Sequence, residues 1–153
     1  METIKDFISR HPFFKELDAK HVTQLGACAT DVHYDADRFL FKEGGPADHM
    51  YIIREGRIRL EIYDARKGPV AVQTLDDDDL LGWSWMMPPY RWHFDARALV
   101  ATSAVAFAAD RLRQMCADDP QLGYTIMMRV AHAMAQRLQA TRFQLMDLYR
   151  ENA

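Results

Sequence analysis

Cysteine is scarce: Cys28 and Cys116 are the only two in 153 residues. That excludes a disulfide-dense secreted scaffold and a four-cysteine iron–sulfur or zinc site built from one chain. Long apolar runs are also lacking. None approaches the ~20 residues that cross a bilayer, and Met1 to Asp6 has no charged-then-apolar leader pattern. Positive charge is not in excess, since 19 Lys and Arg stand against 22 Asp and Glu, a net charge of -3. A free-standing binder of phosphate backbones is therefore disfavoured. His11, His21, His33, His49, His93 and His132 never fall three or four apart, so no helical metal pair exists. No internal repeat or low-complexity stretch appears. These absences predict a cytoplasmic, non-membrane protein, and a hydrophobic content of 49% is enough for one core, hence one domain over residues 1–153.

What is present divides into three zones. In residues 1–30, Phe7, Phe13, Phe14, Leu17, Val22, Leu25 and Cys28 recur at helical spacing, broken at His11-Pro12, with Asp18 as a cap, which predicts two or three short helices. In residues 31–109, short alternating runs lie between Gly44-Gly45-Pro46, Glu55-Gly56, Lys67-Gly68-Pro69 and the acidic step Asp76 to Asp79, predicting roughly eight strands in a roll or barrel. After Gly56, Ile58, Leu60 and Ile62 share one face, and Arg57, Arg59 and Glu61 the other. Met50 to Arg54 is expected to pair with this strand through a Glu55-Gly56 hairpin. Residues 110–150 turn helical, with a stop at Asp118-Asp119-Pro120 and one long segment from Gln121 to about Tyr149. Along it Met127, Val130, Met134, Leu138, Thr141, Leu145 and Leu148 advance by threes and fours. A helix near 30 residues is about 45 Å long, so it overhangs a domain this small. Its stripe is expected to meet a second copy, giving a homodimer.

This order, with the string Phe41-Lys42-Glu43-Gly44-Gly45-Pro46-Ala47-Asp48-His49-Met50-Tyr51-Ile52-Ile53-Arg54-Glu55-Gly56-Arg57-Ile58, resembles the cyclic-nucleotide-binding domain family. Arg10 to Phe14 with Leu17 and Leu25 is similar to that family's entry helices, and Met134 to Thr141 to the long dimer helix of its bacterial Crp/Fnr regulators. The resemblance covers about residues 7 to 149. It implies a mainly β fold with flanking helices, a jelly-roll-like double-stranded β-helix plus a long C-terminal dimerisation helix, acting as a sensor module and not an enzyme. With the chain ending at Ala153, no helix-turn-helix is expected and no direct DNA binding.

Family ligand chemistry lies in a phosphate cassette, where a Gly-Glu pair opens a short helix and an Arg about ten residues later neutralises the cyclic phosphate, helix-end amides and guanidinium together making an anion site. Here the matching stretch runs from Leu80 to Ala98. Gly82 keeps its place, but the ribose-binding position is Trp83, whose indole offers one donor and no acceptor. The phosphate-binding position falls on Trp92 or His93, with Arg91 early, and Pro88-Pro89 forbids the short helix from running through. Usual cAMP or cGMP binding is therefore expected to be lost.

Three readings of the aromatic run Trp83, Trp85, Tyr90, Trp92 and Phe94 stay open: core that fills the old pocket, a remodelled pocket for another small, nucleotide-like or unrelated effector with Ser84, Arg91 or His93 as polar anchors, or an exposed patch that docks a protein partner. An altered contact set that still takes a cyclic nucleotide is the alternative. Gly82, Trp83, Ser84, Arg91, Trp92, His93 and, on the long helix where the family's regulators contact the base, Thr141 are the candidate ligand residues. No metal or fixed cofactor is expected; His93 is a lone haem-ligand candidate without a supporting ligand. Arg97 reads as solvated or bridged to the Asp76 to Asp79 run. A Ser84, His93, Asp95 enzyme lacks a nucleophile elbow.

Overall fold

Thr3 opens the first helix, α1 (Ile4–Arg10), by a reciprocal cap: its hydroxyl accepts from the Asp6 amide and the Asp6 carboxylate accepts from the Thr3 amide. The structure, a computed structural model, describes residues 2–151. A 3-10 turn at Pro12–Phe14 separates α1 from α2 (Ala19–Ala27). Asp18 does stand at the N-cap of α2, but its side chain makes no capping hydrogen bond.

Eight strands follow: β1 (Ala29–Tyr34), β2 (Phe39–Phe41), β3 (His49–Glu55), β4 (Ile58–Asp64), β5 (Gly68–Leu75), β6 (Leu80–Leu81), β7 (Asp95–Ala98) and β8 (Thr102–Ala108). They form two antiparallel four-stranded sheets, β1-β8-β3-β6 and β2-β7-β4-β5. One apolar cluster draws on both, with Met50, Ile52, Val105 and Phe107 from the first and Ile58 and Leu60 from the second. The mainly β fold with flanking helices is therefore as expected.

The hairpin expected at Glu55-Gly56 does not form. β3 pairs with β6 and β8, whereas β4 pairs with β5 and β7, so the chain changes sheets at Gly56. Gly56 has a φ of 138°, and a Cβ there would lie 2.3 Å from Thr102 Oγ1. The glycine thus serves a close pass of the backbone against β8, not a two-residue turn.

The alternation after Gly56 holds for Ile58 and Leu60, then reverses. A register shift between Leu60 and Glu61 turns Glu61 inward, to 1% exposure, and leaves Ile62 44% exposed. The buried carboxylate is matched by cations: Arg97 Nε donates to it at 2.8 Å and Arg59 Nε lies 3.3 Å away. Arg97 also reaches Asp37 at 3.0 Å, so it is neither free in solvent nor bound to the acidic run. That run caps turns instead, with Asp79 accepting from the Asp76 amide and Asp77 from the Gly56 amide, both at 2.8 Å.

After β8 come α3 (Ala109–Asp118) and α4 (Pro120–Glu151). Proline is tolerated at the first helical position because its missing N–H has no partner there. Asp119 Oδ1 accepts from the Gln121 and Leu122 amides, each at 3.2 Å. The 32 residues of α4 make a rod about 48 Å long. Only Leu122, Gly123, Ile126 and Val130 are buried against the rest of the chain. Along the stripe expected from the sequence, Val130 is buried against the domain, while Met127, Leu138, Leu145 and Leu148 are exposed. No helix among the described residues is long and apolar enough to cross a membrane.

Candidate functional site

The segment 82–94 starts where β6 ends. Gly82 has a φ of 95°, and a Cβ there would meet ring atoms of Trp92 at 2.4 and 2.7 Å. Only a bare backbone can lie on that indole. The 3-10 turn Ser84–Met86 follows, closed by the Met86 amide donating to Trp83 O at 3.0 Å, and Met87 is already extended. The turn stops before Pro88-Pro89, a cis pair, as the proline restriction requires.

The segment is then pinned to the turn after β2. The Gly44 amide donates to Trp92 O at 2.8 Å, the Trp92 amide to Gly45 O at 2.9 Å, and the Ala47 amide to Tyr90 O at 2.8 Å. Trp92, 3% exposed, stacks on Phe41 with ring centroids 3.6 Å apart and planes 6° from parallel. Tyr51 and Phe94 close around it at centroid distances of 6.4 Å each. Burial here is deep enough to push the Tyr51 phenol well up from its ordinary pKa.

Trp85 is buried too, and its carbonyl accepts from Arg113 Nη1 at 2.8 Å. The same guanidinium lies 4.1 Å from the centroid of the Tyr90 ring, which ties α3 to the segment by a hydrogen bond and a cation–π contact. Trp85 Nε1 has no hydrogen-bond partner. Ser84 is buried and its Oγ lies 3.0 Å from His93 Nδ1, while Trp83, half-buried, stacks on the same imidazole at 4.6 Å.

The structure brings together Gly82 with Trp92, and Trp83 with Ser84 and His93. Arg91 is exposed and reaches Gly44 O at 3.4 Å. Thr141 is exposed on α4, its hydroxyl donating to the helix's own Arg137 carbonyl at 2.9 Å. Asp95 accepts from the Glu43 amide at 2.7 Å, so the carboxylate needed to orient His93 in a triad is engaged elsewhere. Burial raises the pKa of both thiols, which disfavours the thiolate form. Arg113 and Phe41 were not expected as parts of this site. Neither carries a local sequence signal, because each arrives from another element through the tertiary fold.

A cyclic nucleotide-binding domain model matches residues 31–119. A CRP-like cAMP-activated global transcriptional regulator of Mycobacterium tuberculosis is 24% identical over 147 residues, covering 94% of this chain and 62% of that protein. The chain thus spans less than two thirds of that relative's length. A solved structure described as a cyclic nucleotide-binding protein, from Geobacter metallireducens, superposes with a TM-score of 0.79 at 25% identity, over 90% of this chain and 99% of the other. A cyclic nucleotide-binding domain from Methylobacillus flagellatus gives 0.78 at 19% identity, over 95% and 82%.

Proposed function

The chain belongs to the cyclic nucleotide-binding domain family, and from that premise we propose that it is a regulatory module whose cassette is closed by its own aromatic side chains. One observation carries the reading: the Trp92 ring lies against Gly82 and stacks on Phe41, in the space beside the cassette glycine. A cyclic phosphate and its ribose have no acceptor at Trp83 and no guanidinium from the cassette facing inward, since Arg91 is exposed. Usual cAMP or cGMP binding is therefore absent. Gly82 and Trp92 close the pocket and Ser84 and His93 hold each other. Trp83 and Arg91 form the outer surface left for another small effector or a protein partner.

Output runs through α4. Tyr124, Met127, Leu138, Leu145 and Tyr149 are exposed and fall on one side of the helix. Exposed apolar stripes of this length mark association sites, and a second copy of the same helix is the self-complementary occupant. Residues 1–153 act as one domain in a cytoplasmic homodimer, with Thr141 beside the seam. The role is regulation without catalysis and without DNA contact of its own.

The test is titration of the protein with cAMP and with cGMP, following tryptophan emission and the thermal midpoint. All three tryptophans lie in the cassette, so a ligand entering it reports directly. The expected outcome is no change at micromolar concentration. A rise of several degrees with either nucleotide overturns the reading, because a ligand of the native state stabilises it by mass action.

A further inference from the structure

A cleft of about 340 Å³ lies beside α4, walled by His11–Phe13, by Gln73–Leu75 of β5, by Asp78–Leu80 and by α4 itself. No residue from 82–94 lines it, so it is distinct from the cassette. Its volume is in the range of small-molecule sites. From α4 come Arg129, His132, Ala133, Gln136 and Arg137, where 129, 132 and 136, and 133 and 137, follow at spacings of three or four, so they share the broad face turned to the cleft. That face is roughly opposite the exposed Tyr124 to Tyr149 stripe, so pairing of two helices through the stripe leaves the cleft open.

The charged groups around the cleft are almost all engaged. Arg129 donates to the carbonyls of Pro12, Phe13 and Lys15 at 2.7, 3.2 and 3.0 Å. His11 accepts from the Phe13 amide at Nδ1, which leaves Nε2 to donate to Asp78 O at 2.8 Å. Asp78 pairs with Arg10 at 3.3 Å, and Asp79 accepts from the Asp76 amide.

Arg137 is the exception. Half-buried, it has no ion-pair partner within 4.0 Å and no side-chain hydrogen bond among the described residues. Burial lowers its pKa to about 10, with only Asp79 acting the other way. A guanidinium withdrawn from water without a counter-ion is costly, and its planar fork matches two oxygens of a carboxylate or phosphate.

We propose that this cleft binds a small organic anion of low charge, its oxyanion seated on Arg137, with His132 and Gln136 at its polar edge and Leu75 and Leu80 against its apolar body. Asp78 and Asp79 on the facing wall select against polyanions. An occupant would tie α4 to β5 and to the entry turn, which makes the site regulatory. The proposal does not depend on the cassette being closed.

Benzoate and phenyl phosphate, which share a ring and differ in the oxyanion, are the probes, titrated into the full chain at constant ionic strength with the thermal midpoint and calorimetry as readouts. At millimolar concentration at least one is expected to raise the midpoint by several degrees, and the stronger of the two identifies the oxyanion. Arg137→Gln should abolish the shift without lowering the ligand-free midpoint. Arg137→Lys, which keeps the charge but not the fork, should weaken binding tenfold or more, and Arg91→Gln should leave it unchanged. The proposal is overturned if neither probe binds, if Arg137→Gln keeps the shift, or if Arg137→Lys binds as the unaltered protein does. A response of Arg137→Gln to cAMP would bear on the cassette alone.

Discussion

Residues 82–94 and residues 138–149 are both rich in large apolar side chains, and the two regions place them oppositely. The first turns Trp85 and Trp92 inward, to 1% and 3% exposure, while the second leaves Leu138 64% and Tyr149 71% exposed. Aromatics buried against their own chain make a closed surface, whereas apolar groups left in water make an unfinished one. In this molecule the cassette segment packs Trp85 and Trp92 against its own chain, and the end of α4 leaves its apolar side chains exposed.

The contrast is broken most severely at Trp92. Trp92→Ala should cost about 3–5 kcal/mol in chemical denaturation, as expected for emptying a core aromatic, whereas Trp83→Ala should cost about 1 kcal/mol or less. Equal costs would mean that the cassette is not packed around Trp92. Gly82→Ala comes next: its Cβ has no room against the indole at a left-handed φ, and a loss of about 1–3 kcal/mol is expected. Leu138→Glu sharpens the other side of the comparison. It should dissociate the proposed dimer in light scattering while changing the intrinsic stability of the domain by no more than about 0.5 kcal/mol, as for an exposed position.

The smallest effect concerns the start of α4. The amide of Leu122 first, then His21 and the Gln121 amide, hold the Asp119 carboxyl below the usual aspartate range. Because the folded-state pKa is depressed, its contribution is fully present above the ordinary value of about 3.9 and is lost as the pH falls through the lower folded value. The thermal midpoint of Asp119→Ala should therefore lie slightly below that of the unaltered protein at neutral pH, and the gap should close in acid.

Element order was readable from sequence because each boundary has a local cause. Pro12 ends α1, Pro120 starts α4, and paired turn residues bracket the strands. The pairing of those strands was not readable. Glu55-Gly56 has the composition of a hairpin turn, yet the clash that decides the matter is with Thr102, far along the chain. The phase change at Leu60/Glu61 likewise depends on β5 across the ladder, and the partner of Arg97 on a glutamate that this change turns inward. In the site, Gly82, Trp83 and Pro88-Pro89 led to the expectation of an altered cassette. The packing of Trp92 is set by Phe41 and the Gly44-Gly45 turn, which no local pattern links to it. Arg137 gave no signal beyond sharing a helix face with Arg129, because its lack of a counter-ion is a tertiary fact.

Gly123 on α4 lies so close to α3 that a Cβ would sit 3.0 Å from Cys116 O and 3.2 Å from Cys116 Cβ. The two helices therefore meet at a bare fulcrum. From that point to Tyr149 is about 39 Å at about 1.5 Å per residue, so a tilt of about 5° at the fulcrum swings the far end through about 3 Å. Arg113 grips the cassette from α3, the helix on which this fulcrum rests, and the exposed stripe lies along the long arm.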